Sequence, residues 1–257
     1  MTENKTNQNA IIEVTDLTIG YEDIIVLENL NFTVNKGEVF GIMGGSGCGK
    51  STLLKNIIGL YQPFAGDIKI YGNSMVNSTV PEQQLLLQKF GVTYQEGALF
   101  GSMTLAENVA LPLEEFTDYS KEKIDKIVNE KLEIVDLAGF NDYMPSELSG
   151  GMKKRAGVAR ALALDPELLF FDEPSAGLDP ITSADFDQLI MNLRDNLHTT
   201  IVIVTHELDS IFTVSDHVIM LDKRQKGILA EGNIHELKAN CNNEWVQEFL
   251  NRKGLKV

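Results

Sequence analysis

Short apolar runs bounded by glycine, proline or polar turns recur along most of the chain, and two regions break that rhythm with helical spacing. Near the N-terminus, Ile11-Ile12-Glu13-Val14, Ile24-Ile25-Val26-Leu27 and Leu30-Asn31-Phe32-Thr33-Val34 alternate or carry β-branched residues, which predicts strands. Val39-Phe40-Gly41-Ile42-Met43, Asp67-Ile68-Lys69-Ile70-Tyr71 and Phe90-Gly91-Val92-Thr93-Tyr94 predict three more. Leu168-Leu169-Phe170-Phe171 and Thr200-Ile201-Val202-Ile203-Val204 are continuously apolar or β-branched, the pattern of strands covered on both faces in a parallel sheet. Asp216–Asp222 and Gly227–Gly232 predict an edge hairpin.

Helical periodicity begins after the glycine-rich loop, in Leu53–Ile58, and dominates from Glu96 to about Leu148. There Ile124, Ile127, Val128, Leu132 and Val135 share one face at i, i+3, i+4 spacing, with Lys, Glu and Asp opposite. This predicts a helical subdomain, about 96–160, inserted between strands. Ser149 is placed to cap a further helix running through Arg160 and Leu162. The expected organisation is a disordered polar lead-in over 1–10, one domain over 11–240 and an amphipathic tail over 241–257 containing Trp245 and Phe249.

Charge narrows the function classes. With 22 Lys+Arg against 37 Asp+Glu the formal net charge is −15, which argues against nucleic acid and against direct adhesion to anionic lipid headgroups. Cys48 and Cys241 make no disulfide framework and suit a reducing compartment. The first ten residues lack the apolar core of a secretion signal, and no apolar run approaches the roughly 18 residues that span a bilayer. Membrane contact is therefore expected only through partners.

The chemistry centres on Gly44-Gly45-Ser46-Gly47-Cys48-Gly49-Lys50-Ser51-Thr52. Gly44 to Ser51 fits G-x-x-x-x-G-K-[ST] between a strand and a helix, so backbone N–H groups can close around a triphosphate. Lys50 would reach the β- and γ-phosphates, the Ser51 hydroxyl would ligate Mg²⁺, and the helix N-terminus adds a favourable dipole. The strand Leu168–Phe171 ends in Asp172-Glu173-Pro174, and its sister run ends in Thr205-His206-Glu207, at the strand ends where α/β sheets bind ligands. Asp172 would hold the metal and Glu173 would polarise the attacking water. His206 would contact the γ-phosphate. Gln95 at a strand end and Tyr21 after Gly20 are residue types that ordinarily need no function there.

These residues together resemble the ATP-binding subunit of an ABC transporter over nearly the whole length of the chain. The phosphate loop resembles Walker A, Leu168 to Glu173 resembles Walker B with its catalytic Glu, and Ser175-Ala176-Gly177-Leu178-Asp179 resembles the D-loop. Leu148-Ser149-Gly150-Gly151-Met152 resembles the LSGGQ signature, with Met in place of Gln. The resemblance implies an α/β fold of the P-loop NTPase (RecA-like) type: a mostly parallel sheet, an N-terminal antiparallel β subdomain and the inserted helical subdomain. It further implies that Gln95 contacts Mg²⁺ and senses the transmembrane partner, that His206 is the switch histidine and that Tyr21 stacks on adenine. Ser149, Gly150 and Gly151 would complete the ATP site of a second subunit in a head-to-tail homodimer. A lone subunit would hydrolyse ATP poorly.

Gln95–Phe100, Leu148–Arg155, Asp172–Thr182, Thr205–Ser210 and the ending around Trp245 look like the Mla-type branch, which serves permeases paired with MCE-domain proteins and moves phospholipid or other lipid between bacterial membranes. The implied location is the cytoplasmic face of the inner membrane. Residues 95–116, with Phe100, Met103, Leu105, Val109 and Leu111, would line the groove that receives the permease. The competing classes are an ATPase of another importer, for anions or amino acids, and a non-transport ABC ATPase. A single nucleotide domain at −15 disfavours the latter. A GTPase would need an N-K-x-D motif, which the sequence lacks.

Overall fold

The computed structural model describes residues 9–252. Most of the polar lead-in and the end of the tail, 253–257, lie outside the described residues, and Ala10 already belongs to the first strand. Strand β1 (Ala10–Tyr21) and strand β2 (Ile24–Asn35) form one antiparallel hairpin of two 12-residue strands, where the apolar pattern suggests three shorter ones. Register shifts between Val14 and Leu17 and between Leu17 and Ile19 flip the side-chain alternation and hide the continuity. Asp16 and Asn29 take positive φ at these irregularities, and Asn31 satisfies the bulge: its Oδ1 accepts from Asp16 N at 2.9 Å and its Nδ2 donates to Asn29 O at 3.2 Å.

Strand β3 (Val39–Gly44), buried along its whole length, leads through the glycine-rich loop into helix α1 (Lys50–Ile57). Strands β4 (Ala65–Ile70) and β5 (Asn73–Ser74) complete an antiparallel sheet of order β2-β1-β4-β5, and helix α2 (Val80–Leu87) follows. Strand β6 (Phe90–Thr93) precedes helices α3 (Leu105–Phe116) and α4 (Lys121–Ile134), which begin on local signals. Thr104 and Glu107 make a reciprocal capping box for α3, and Ser120 caps α4. A 3-10 turn, Pro145–Glu147, leads to helix α5 (Gly150–Ala161).

Strand β7 (Leu168–Asp172) carries four apolar side chains with no solvent exposure, as its unbroken apolar run predicts. Helix α6 (Pro180–Leu197) starts where Asp179 accepts from Ile181 N and Thr182 N, with Pro180 at the first position. Strand β8 (Thr200–Val204), helix α7 (Leu208–Val214), strands β9 (His217–Asp222) and β10 (Gly227–Gly232), and helices α8 (Ile234–Asn240) and α9 (Glu244–Leu250) finish the described chain.

Two units divide these residues. One takes in the described residues up to Leu86 together with those from Val204 onward, and the other is Leu87–Ile203. In the first, β9 pairs parallel with β3 and antiparallel with β10, so the predicted edge hairpin is present. In the second, β6 pairs parallel with β7, and β8 lies on the other side of β7. The chain is thus α/β, with an antiparallel sheet and mostly parallel pairing elsewhere. Among the described residues no helix is long and apolar enough to cross a membrane.

Candidate functional site

The glycine-rich loop sits in the first unit between β3 and α1, and its geometry is set by backbone that side chains would disturb. A Cβ on Gly44, whose φ is 147°, would meet Leu221 O at 2.4 Å and Cys48 Sγ at 2.7 Å. Gly49 caps α1 with φ 104°, a left-handed value that costs glycine nothing. Lys50 is buried and folds over the loop, its Nζ donating to Gly44 O at 2.9 Å and Gly45 O at 3.3 Å. Ser51 is exposed beside it, while Thr52 is buried and its Oγ1 lies 2.5 Å from the Tyr21 hydroxyl. Tyr21, 44% exposed at the end of β1, also meets Tyr61 edge-on at 5.7 Å. The loop thus offers an ammonium, backbone N–H groups and an exposed hydroxyl at one place, with an aromatic tethered to it.

His206 belongs to the same unit. It follows β8 on a turn fixed by Thr205, whose N donates to Ile42 O at 3.2 Å and whose Oγ1 accepts from Glu207 N at 3.0 Å. The imidazole is 57% exposed, with Nε2 3.7 Å from Glu207 Oε1. The buried Thr205 therefore anchors a histidine that faces outward.

In the second unit Asp172 ends β7 and Glu173 follows with φ 49°, a conformation that non-glycine residues adopt at a cost. Sequence reasoning did not single out Lys154. It is buried on α5 and donates to Glu173 O at 3.4 Å, so it ties α5 to the turn that carries the predicted base. Burial pulls its pKa below the usual lysine range, and the carboxylates of Glu96 and Glu173 oppose that shift. A lysine two places from Met152 reads as a solvated charge in sequence, and its neighbours become visible only in space.

Ser149 caps α5 through its hydroxyl, which accepts from Met152 N at 3.3 Å. Ser149 and Gly150 are exposed, so the start of this 12-residue helix faces outward; Gly151 is buried, and a Cβ there would meet Thr182 Cγ2 at 2.8 Å. Gln95 is also exposed, at the start of a loop clamped onto α5. Arg160 donates to Ala98 O at 2.8 Å and Gly97 O at 3.2 Å, and a Cβ on Gly157 would meet Gly97 O at 2.9 Å. Asn108 holds the far end of the loop, accepting from Phe100 N at 2.8 Å and donating to Phe100 O at 3.1 Å.

Beside that loop lies a cavity of about 520 Å³ lined by Phe100, Leu111, Pro112 and Phe116, with Arg160 at its margin. Phe100 and Phe116 are each about half exposed. Leu105 and Val109, expected to line the same groove, are instead fully buried, because with Leu113 they form the inner i, i+4 face of α3.

The fit of a nucleotide is tested by the cradle itself: Gly44 leaves room for no side chain, and Lys50 is already aimed along the loop. The exposed Ser51 hydroxyl beside the loop is a hard oxygen donor of the kind that Mg²⁺ takes. Cys48, 3% exposed in the loop, has its thiol pKa raised by burial, with Lys50 pulling the other way. Its thiolate fraction at neutral pH is therefore below that of an ordinary cysteine. Alkylation is expected at Cys241 first and slowly at Cys48, accelerating as pH rises, and ATP should slow the Cys48 step further. Peptide mass mapping over time checks this; rapid Cys48 labelling indifferent to ATP would contradict the described loop.

Comparison with known proteins places these features in a family. The pattern of the ABC transporter family matches residues 27–176, more than half of the chain. The probable ribonucleotide transport ATP-binding protein mkl of Mycobacterium tuberculosis is 42% identical over 244 residues, covering 95% of this chain and 67% of the relative. The intermembrane phospholipid transport system ATP-binding protein MlaF of Haemophilus influenzae is 40% identical over 231 residues, covering 90% and 86%. Among solved structures, the ATP-binding cassette MJ0796, dimeric in a post-hydrolysis state with ADP and Pi, aligns with a TM-score of 0.78 at 31% identity over 86% of this chain and 98% of that one. The phosphate loop, the acids after β7 and the serine-glycine start of α5 thus lie in a chain that belongs to the ABC transporter family, as one of its ATP-hydrolysing subunits.

Proposed function

We propose that two copies of this chain bind two ATP molecules head to tail and hydrolyse them to drive a permease that moves phospholipid between membranes with an MCE-domain partner. In each site Lys50 leaves the carbonyls of Gly44 and Gly45 for the β- and γ-phosphates, and Tyr21 stacks on the adenine. Glu173 accepts a proton from the attacking water, and His206 contacts the γ-phosphate. Ser149, Gly150 and Gly151 reach the same γ-phosphate from the second copy, which the exposure of Ser149 and Gly150 at the start of α5 permits. Ser51, Gln95 and Asp172 would hold Mg²⁺, which would supply positive charge to the phosphate oxygens. The permease helix docks in the cavity by Phe100 and Phe116, with Gln95 on the same clamped loop. This places the protein peripherally on the cytoplasmic face of the bacterial inner membrane.

The observation that carries the lipid assignment is the similarity to MlaF across 90% of this chain and 86% of that protein. The higher identity to mkl, named for ribonucleotide transport, favours a second reading in which the cargo is a nucleotide. Lipid choice resides in other subunits, so the assembled complex decides. Affinity purification in detergent is expected to recover a permease and an MCE-domain protein, with phospholipid identified by mass spectrometry. Recovery of a soluble substrate-binding protein, with no lipid, would overturn the lipid assignment.

A further inference from the structure

The phosphate loop has a neighbour that the roles above leave unused. Among the described residues, leaving aside the chain neighbours of Gly45, the atom nearest to where a Cβ on Gly45 would stand is Trp245 Cζ2, at 3.9 Å. Trp245 is the only tryptophan in the chain and lies on α9, 200 residues from Gly45 in sequence but in the same unit. Phe249 stacks on the indole at 5.1 Å and 22°.

The helix carrying this ring is anchored on three sides. Val246 and Leu250 are fully buried on its inner face, and Gln247 donates to Leu237 O at 2.9 Å and Cys241 O at 3.1 Å at the end of α8. Arg252, just past α9, pairs with Asp209 on α7, the helix that begins two residues after His206. Helix α8 grips the same helix, with His235 5.5 Å from the Phe212 ring and Lys238 Nζ 4.5 Å above it. The C-terminal helices therefore hold the segment after His206 with one end and present Trp245 to the phosphate loop with the other.

From this geometry we infer that Trp245 is a positioning residue for ATP: it stands beside Gly45, one side-chain atom's width away, and so limits the shapes open to the loop that receives the phosphates. The carbonyl of Gly45 is one of the two acceptors of the Lys50 ammonium. When a triphosphate takes that ammonium, Gly45 O loses its charged partner and its peptide shifts against the indole. A flat, rigid ring restrains that shift at low entropic cost, and a truncated side chain leaves the loop to find its bound shape unaided. The inference rests on the assignment of the loop to ATP.

The test uses the full-length chain with ATP and Mg²⁺, read by calorimetry and by the emission of its single tryptophan. ATP is expected to shift the Trp245 emission along a curve that saturates with the calorimetric Kd. Trp245→Ala should weaken ATP binding about fivefold, and Trp245→Phe should restore it to within about twofold, since the aromatic brace matters and the indole N–H does not. A purely structural role would lower the melting temperature without moving Kd and without an ATP-dependent emission change. Emission that ignores ATP while calorimetry records saturation would overturn the inference, as would an unchanged Kd in a folded Trp245→Ala. The emission of the unaltered protein decides even if that variant fails to fold. Absence of any calorimetric binding would overturn the assignment of the loop along with it.

Discussion

Glu173→Gln is expected to cut ATP turnover in the assembled complex about a thousandfold while leaving ATP binding intact, so that a nucleotide-bound dimer accumulates. The change keeps the side chain's size and its acceptor oxygen and removes only the basic carboxylate, the group worth roughly 10²- to 10⁴-fold in general base catalysis. The backbone at Glu173 has anchors besides that carboxylate. Its φ of 49° is set by the turn after β7, and its carbonyl accepts from the buried Lys154 at 3.4 Å. Loss of activity through local collapse is therefore not expected, and an unchanged melting temperature should accompany the loss of turnover. Phosphate release measured at saturating ATP, with gel filtration for the dimer, is the check. Wild-type turnover in the variant would exclude Glu173 as the base.

Ser149→Arg is the second large effect, and it separates function in trans from function in cis. Ser149 is exposed, so the monomer has room for an arginine there, whereas a site closed by a second copy does not. The cost to the monomer is the lost cap on α5, about 1 kcal/mol. Turnover should vanish while each monomer still binds ATP through its own phosphate loop. The decisive arm mixes Ser149→Arg with Lys50→Ala, each inactive alone. A head-to-tail pair of the two contains one site built from an intact loop and an intact serine, so mixing should regain hydrolysis that neither variant shows. A mixture as silent as its components, or a Ser149→Arg monomer unable to bind ATP, would refute the in-trans role.

What the sequence made legible and what it hid follow from the range of the interactions. Gly44 to Thr52, Asp172-Glu173 and Thr205-His206 are read from contiguous residues because strand, turn and helix start must follow one another within a few positions for a phosphate to be bound. The four apolar positions of β7 were equally plain, since a strand covered on both faces has no polar side to interrupt it. The first hairpin was misjudged in length because its bulges reverse the alternation that marks a strand, and only the Asn31 bonds to Asp16 and Asn29 reveal the continuity. Leu105 and Val109 were assigned to a groove because an inner helix face and a docking face have the same period. Lys154 went unassigned, and Trp245 was placed only on the amphipathic tail, because the residues they stand beside, Glu173 and Gly45, are distant in sequence. Local chemistry was visible, and the residues that hold it in place were not.

The clamp of Arg160 on Gly97 and Ala98, with Gly157 pressed against the same loop, has a mechanical consequence. Helix α5 is 12 residues long, about 18 Å, with Ser149 capping one end and Arg160 near the other. It contains no proline, and its two close glycine contacts are filled, Gly157 by the loop and Gly151 by Thr182. The loop beside Phe100 and the capping Ser149 therefore share one helix, with a hydrophobic cavity at one end and a capping serine at the other.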